Sequence, residues 1–485
     1  MRARTLVSLS FLLLSAVLPA AAPAAVKPGL EGAQELFRQN HWEEARVHLR
    51  SQWGSLSEKD RPTATFLIGR SYVREAEFYR AAHRVGAEVG LAYMEELAAA
   101  RANRGVAWIP LFKGLYEVEA GKNAEAERTL LAVAAPSALP PDWKAAARLR
   151  RALAVHRLGR VSEAATVLKD PSPEGRFCRL LLGGAAEPPP AAPKEGRREK
   201  LLTAALLFRA GRAAEAEALL AGLNPDVPDV EDRSDPRKLL RFHDPLVTSA
   251  WERIGWERAV AALSPLAAGA PGAEKGLAAF YVGLSLFRLG VPEESAKFLQ
   301  GASAPSLGPE LQSSALLLLA PSAWKVRAPT SAELLTLWEG TQAQPEAVLL
   351  WDEMRRGDLA KAEPFLTKLE GRLRDLLQSS SERPPGALVG RWGLARLRRG
   401  DDPAVLLAAL SEHRDKSNKN KLEWNDPLLL MALSAASYGN REYPQALETL
   451  FELSKTFPGL RALQWNLQGI YAARQRAGGE ARISQ

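Results

Sequence analysis

A chain of 485 residues can bury a large core, and 46% apolar with 25% charged residues is the composition of a folded soluble protein, not a disordered or fibrous one. The formal charge of +8 falls to +6 without Arg2 and Arg4, too mild a bias over this length to imply nucleic-acid or membrane binding. A single cysteine, Cys178, excludes an intramolecular disulfide, so the core alone must hold the fold, and burial is the expected state of the thiol.

The first segment reads as an export signal. Arg2 and Arg4 form a basic start, Leu6–Leu18 an apolar centre, and PAAAPAAV supplies small residues for a peptidase, with the cut expected after Ala24. The apolar run is about 13 residues, against roughly 20 needed to span a bilayer. Residues 1–24 are therefore predicted to be removed, leaving an exported, periplasmic or secreted chain with no stable transmembrane segment.

Beyond it one phrase recurs. LFRAGRAAEAEALL (207–220) and LFRLGVPEESAKFL (286–299) share Leu, Phe, Arg, Gly, Glu and the last Leu in register. The template is an apolar helix, a glycine that ends it, and a second helix with packing residues at i, i+3 and i+7, which fall on one face. In chain order it finds Trp42/Ala45/Leu49, Phe78/Ala81/Val85, Asn123/Ala126/Leu130, Val161/Ala164/Leu168, Trp256/Ala259/Leu263, Leu359/Ala362/Leu366 and Tyr443/Ala446/Leu450. Pro292/Ser295/Leu299 and Asp402/Val405/Ala409 are more degenerate copies. The junctions fall at 40, 76, 121, 159, 211, 254, 290, 357, 400 and 441, with a worn copy expected near Trp324. A unit near 40 residues holding two helices predicts an all-α solenoid of about ten to eleven antiparallel helix pairs.

A small residue stands seven places before many junctions, as Gly69, Gly114, Gly283 and Gly393, and Pro228, Pro271 and Pro458 close units 17 residues after theirs. With the aromatic or apolar opening of the second helix and the alanine one turn on, this resembles the tetratricopeptide repeat. PLLLMALSAASYGNREYPQALETLFELSKTFPG (427–459) is the fullest copy. The resemblance covers nearly the whole mature chain and implies protein or peptide partners held in a concave groove lined by the first helices.

Two stretches interrupt the array. GGAAEPPPAAPKEGRR reads as a linker, which divides the repeats into 25–183 and 199–485 around 184–198. NPDVPDVEDRSDPRK (224–238) carries five carboxylates, but their order misses a calcium-loop spacing and it reads as a solvated loop.

No catalytic constellation emerges. HRDKSNKNK (413–421) has the spacing of a kinase catalytic loop without the phosphate loop, lysine or metal ligand that chemistry needs, and reads as a polar connector. Glu294-Ser295 echoes lytic transglycosylases, yet it lies inside a repeat helix and no segment is left for a catalytic domain. His41, Glu44 and His48 share a helix face but lack a fourth ligand, and His243-Asp244 is an isolated dyad. No metal or cofactor is expected.

What remains is an arginine two places before the junction: Arg38, Arg74, Arg157, Arg209, Arg288, Arg355 and Arg398, in seven of ten copies, with Glu119, Glu252 and Gly439 as exceptions. Two causes stand open. An arginine in the last turn of a helix faces the negative end of its dipole, worth about 0.3–1 kcal/mol. Alternatively the resemblance implies a stripe of guanidinium groups contacting a bound segment, suited to acidic groups. The expectation is a non-catalytic scaffold or adaptor for envelope proteins. Its rival is a peptidoglycan-processing protein related to the helical region of lytic transglycosylases, and a third possibility is a purely architectural component.

Overall fold

The computed structural model describes residues 28–302, except 102–105, 107, 135–138, 140, 183–195, 222, 224–244 and 270–272, and residues 386–476, except 418–425 and 458–464. Among these residues every regular element is helical. The N-terminal helices are α1 (Gly29–Arg38), α2 (Trp42–Ser51), α3 (Arg61–Ala99), α4 (Trp108–Glu119), α5 (Asn123–Ala134), α6 (Pro141–Arg157), α7 (Val161–Leu168) and α8 (Pro173–Leu181). Next come α9 (Arg197–Arg209), α10 (Ala213–Ala221), α11 (Pro245–Ala268), α12 (Ala273–Arg288) and α13 (Pro292–Ala302). The C-terminal group is α14 (Gly386–Arg399), α15 (Pro403–Ser417), α16 (Pro427–Gly439), α17 (Tyr443–Thr456) and α18 (Trp465–Arg476). Paired antiparallel helices stacked on their neighbours make this an all-α solenoid.

Seven of the ten predicted junctions are turns. Asn40, Gly121, Gly159, Gly211, Gly290, Gly400 and Arg441 all have positive φ, between 63° and 85°. After each, an amide reaches back five residues: His41 to Leu36 at 2.9 Å, Lys122 to Glu117 at 2.8 Å, Arg212 to Leu207 at 2.9 Å, Val291 to Leu286 at 3.0 Å. That bond takes up a carbonyl the helix end leaves open and reverses the chain.

Two junctions do not turn. Ala76 lies in the middle of the 39-residue α3, and Ile254 inside the 24-residue α11. Neither position has a glycine or asparagine, and the left-handed conformation costs other side chains about 1–2 kcal/mol, a cost met among the turned junctions only at Arg441, whereas continuing the helix keeps its hydrogen bonds. The remaining junction, Gly357, lies outside the described residues, as do residues 1–27, the acidic loop, His243-Asp244, Trp324, Arg355 and the Leu359 copy. Most of the predicted linker lies outside too; its last residues, Arg197 and Arg198, open α9.

The small positions are contact points. A Cβ on Gly114 would meet Leu130 at 2.5 Å, and one on Gly283 would meet Leu299 at 2.6 Å, so each first helix closes on its own second helix. The straight copies exchange partners instead. A Cβ on Gly69 of α3 would strike Leu263 of α11 at 2.3 Å, and one on Gly255 would lie 2.8 Å from the Cβ of Ala76. The degenerate copy after Gly400 is shifted by one residue: Leu406 and Leu410 are buried while Val405 is 66% exposed. The HRDKS portion of the predicted connector continues α15, with His413 buried and Arg414 paired with Glu452.

The two long helices also bring distant parts together. α3 packs on α11, α12, α16 and α18, so the largest apolar cluster runs from Trp42 to Tyr471. A second cluster, around Phe177, Leu202 and Ile254, encloses Cys178. The thiol is buried as expected, and burial pushes its pKa up to about 12. Among the described residues no helix is long and apolar enough to cross a membrane.

Candidate functional site

Polar side chains collect on α3 and the helices facing it. On α3, Arg74, Glu77, Arg80, His83 and Arg84 recur at helical spacing, so one stripe of a long buried helix is charged. Four of them pair with an opposite charge from elsewhere in the chain, and the charge of Arg84 acts on Glu252. Arg74 reaches Asp426 at 3.1 Å and Glu77 at 3.4 Å, with its guanidinium 5.4 Å from the ring of Trp42. Glu77 also pairs with Arg391 of α14. Arg80 binds Glu252 of α11 at 2.9 Å, and His83 Nε2 lies 3.1 Å from Glu119 of α4.

Glu119 is the most strongly held of these acids. Burial by itself would raise its pKa, but the hydrogen bond and charge of His83, with the charges of Arg150 and Arg157, outweigh it. The carboxyl is therefore kept well below the usual carboxylate range. Glu252 is also lowered: burial opposes the shift, and the charges of Arg80, His83 and Arg84 with the Arg80 hydrogen bond overcome it. Both glutamates occupy the position two before a junction, where most copies carry arginine. The two acidic exceptions in the sequence are thus interior counter-charges.

The predicted arginines fall into three settings. Arg38, Arg157, Arg209 and Arg288 lie in the last turns of α1, α6, α9 and α12, as the dipole reading expects. Arg38 is exposed and paired with Glu35 of its own helix at 2.7 Å. Arg157 donates to the carbonyl of Val118, in the last turn of the neighbouring α4, at 3.0 Å. Arg209 lies 4.0 Å from Glu294 in the first turn of α13. Arg288 stands over Phe287, 5.9 Å from its ring. Arg74 is different: it sits mid-helix, far from any helix end, and its partners are carboxylates. Arg398 belongs to α14 but its side chain, like all of Arg355, lies outside the described residues.

The motifs set aside in the sequence have structural employment. Ser295 Oγ donates to the Gly283 carbonyl at 2.7 Å, fastening α13 to α12. His48 Nε2 lies 3.0 Å from the Gly29 carbonyl, and His41 stands 3.4 Å from Glu44 at the start of α2. Among the described residues no three His, Cys, Asp or Glu groups are placed to hold a metal.

Sequence reasoning missed His83, Arg150, Arg253, Glu257 and Arg258, because none occupies a template position. The available signal was the spacing 74, 77, 80, 84, a charged stripe that continues across a predicted turn. Arg258 takes both oxygens of Glu217 at 2.7 and 2.5 Å; burial opposes its charge, but that bond raises its pKa. Arg253, one turn away from Glu257, behaves in the opposite way. Burial, aided by the charge of Arg209, pulls its pKa down to about 10. Burial also raises that of Glu257, against the charges of Arg253 and Arg209.

The class the geometry defines is an all-helical repeat fold. No protein-family model matches the chain, and no curated protein matches it. Among solved structures it is similar to the crystal structure of the yeast Tom70, at 14% identity over 92% of this chain and 95% of that one, with a TM-score of 0.33. At that level of likeness the architecture rests on the helices described above.

Proposed function

We propose that the protein is a non-catalytic scaffold or adaptor of the tetratricopeptide-like kind, exported to the periplasm, that binds an extended or helical segment of an envelope protein in its concave groove. The observation that carries this reading is the recurrence of cationic side chains at one place in successive units. Arg157 and Arg209 hold the same place in their units, and their charges reach neighbouring helices, that of Arg157 acting on Glu119 and that of Arg209 on Arg253. Guanidinium groups recurring at helix ends, as at Arg38, Arg157, Arg209 and Arg288, suit acidic groups of a partner, each able to form paired hydrogen bonds. The signal-like first 24 residues support the exported location.

Replacing Arg209, Arg288 and Arg355 together with Gln is expected to weaken capture of an acidic envelope partner by at least tenfold, roughly 1.4 kcal/mol, while thermal unfolding moves little. Equal loss of stability with unchanged capture would leave the arginines a helix-end role only. Export is tested separately, by the N-terminal sequence of the mature chain, expected to begin at Ala25.

A further inference from the structure

Arg70 lies one turn before Arg74 on α3, in different surroundings. Its guanidinium stands over two aromatic rings, that of Phe37 of α1 at 5.7 Å and that of Tyr281 of α12 at 5.3 Å. Tyr281 is held in turn against Phe66, with ring centres 6.1 Å apart. Other arginines of this region are matched by acids: Arg46 by Glu75 at 2.8 Å, Arg74 by Asp426 at 3.1 Å and Arg80 by Glu252 at 2.9 Å. Arg70 makes no ion pair and no hydrogen bond among the described residues. Glu274, two turns before Tyr281 on α12, is engaged by Thr63 at 2.9 Å. The Arg70 Nε is covered, but the residue is only half-buried, and its two terminal nitrogens are not sealed with it.

We propose that Arg70, walled by Phe37 and Tyr281, is a receptor for a single carboxylate, such as an Asp or Glu side chain of a bound segment. A cation partly stripped of water and given no counter-charge is costly, and ring faces offset only part of that cost. An anion at the open terminal nitrogens offsets the rest. Those nitrogens donate in a planar fork that matches the two oxygens of a carboxylate. One positive charge is balanced by one carboxylate, whereas a phosphate dianion leaves excess negative charge beside the negative faces of the rings. Phe37, Arg70 and Tyr281 all lie in segments that precede a junction, at 40, 76 and 290, which are the segments that line the groove in the functional reading above. Arg70 is not at the recurring arginine position, so the site is separate from that series. The inference rests on the groove reading only for the source of the carboxylate; the recognition itself belongs to Arg70.

The test reads each arginine separately in the whole, unmutated chain. Phenylglyoxal, which adds to accessible guanidinium groups, is reacted with the folded protein, and the modified residues are located by mass spectrometry. Arg70 is expected to react faster than the paired Arg74. An end-capped peptide of alternating Glu and Ser is expected to slow the reaction at Arg70 at least about tenfold at saturation. The same peptide with Gln for Glu is expected to leave it unchanged, and inorganic phosphate at equal concentration to protect less than the Glu peptide. An unreactive Arg70, equal protection by both peptides or by neither, or better protection by phosphate would overturn the proposal. Protection of Arg209 and Arg288 without Arg70 would sink this site and leave the groove reading standing; protection of Arg70 without them would do the reverse.

Discussion

Compare the hairpin at Gly290 with the midpoint of α3 at Ala76. Both follow a glycine by seven residues and precede an aromatic or apolar second segment, yet one reverses the chain and the other runs on. The difference is one residue able to take positive φ. Where it is present, the glycine seven places back closes on the leucine of its own unit, as Gly283 does on Leu299. Where it is absent, the small residue must find a partner elsewhere, and Gly69 finds Leu263 of α11, the other straight helix. Missing turns therefore join distant units, and the charged stripe of α3 is what those units meet.

The largest effect that can break this comparison lies on that stripe. Glu77 pairs with both Arg391 and Arg74, Arg74 also reaches Asp426, and all these side chains are mostly buried. Glu77→Gln should destabilise the protein by about 3–5 kcal/mol, since it leaves buried guanidinium charge uncompensated. Arg391→Met, which leaves Glu77 its Arg74, should cost less in the same denaturant titration. If the two lose equally, the stripe is not holding the C-terminal helices by charge.

The pH response separates two glutamates. Glu119 has a lowered pKa in the fold, so it contributes stability above the ordinary carboxylate range and loses it as pH falls. The groups facing it are His83 of α3 with Arg150 and Arg157 of α6. Glu257 has a raised pKa, so its contribution has the opposite sign: present in acid and lost as pH rises through its folded value. Melting temperature against pH should show a flattened acid limb in Glu119→Gln. Glu257→Gln should instead gain stability near neutral pH.

Crossing and turning glycines give the next effects. Gly255→Val forces a side chain against Ala76 where the long helices touch, at a cost of about 1–3 kcal/mol. Gly211→Ala meets nothing within 4 Å but must hold φ at +74°, so about 1–2 kcal/mol is expected from the backbone alone. Chemical denaturation of the pair distinguishes a packing glycine from a conformational one: a smaller Gly211→Val loss than Gly211→Ala would contradict the backbone account.

Much of this was legible in the sequence. The turned joints, the packing residues of the second helices and the small positions follow from period and from glycine, because local geometry decides them. Ala76 and Ile254 were readable as junctions only by analogy with their neighbours; the residue itself argued for a continuing helix. Leu406 and Leu410 were mistaken for Val405 and Ala409 because a one-residue slip leaves two apolar patterns nearly alike. The partners of Arg74, Glu119 and Glu252 were not legible at all. They come from segments up to 352 residues away, and nothing in a local pattern records which distant unit a straight helix will meet.

The smallest effect sharpens what the recurrent arginine means. Arg38 and Arg74 hold the same place in the repeat, but Arg38 is 65% exposed and pairs with Glu35 of its own helix, whereas Arg74 lies between Asp426, Glu77 and Trp42. An exposed pair and a helix end together are worth a few tenths of a kcal/mol, and salt screens them. Arg38→Gln should therefore shift the denaturation midpoint barely at all, and the shift should vanish at high ionic strength. Arg74→Gln should cost clearly more and keep most of its effect in salt, because its partners are buried. Equal small losses at both sites would mean that the repeat conserves the arginine for helix ends alone. Unequal losses mean that one repeated residue is used in two ways, according to whether the turn after it forms.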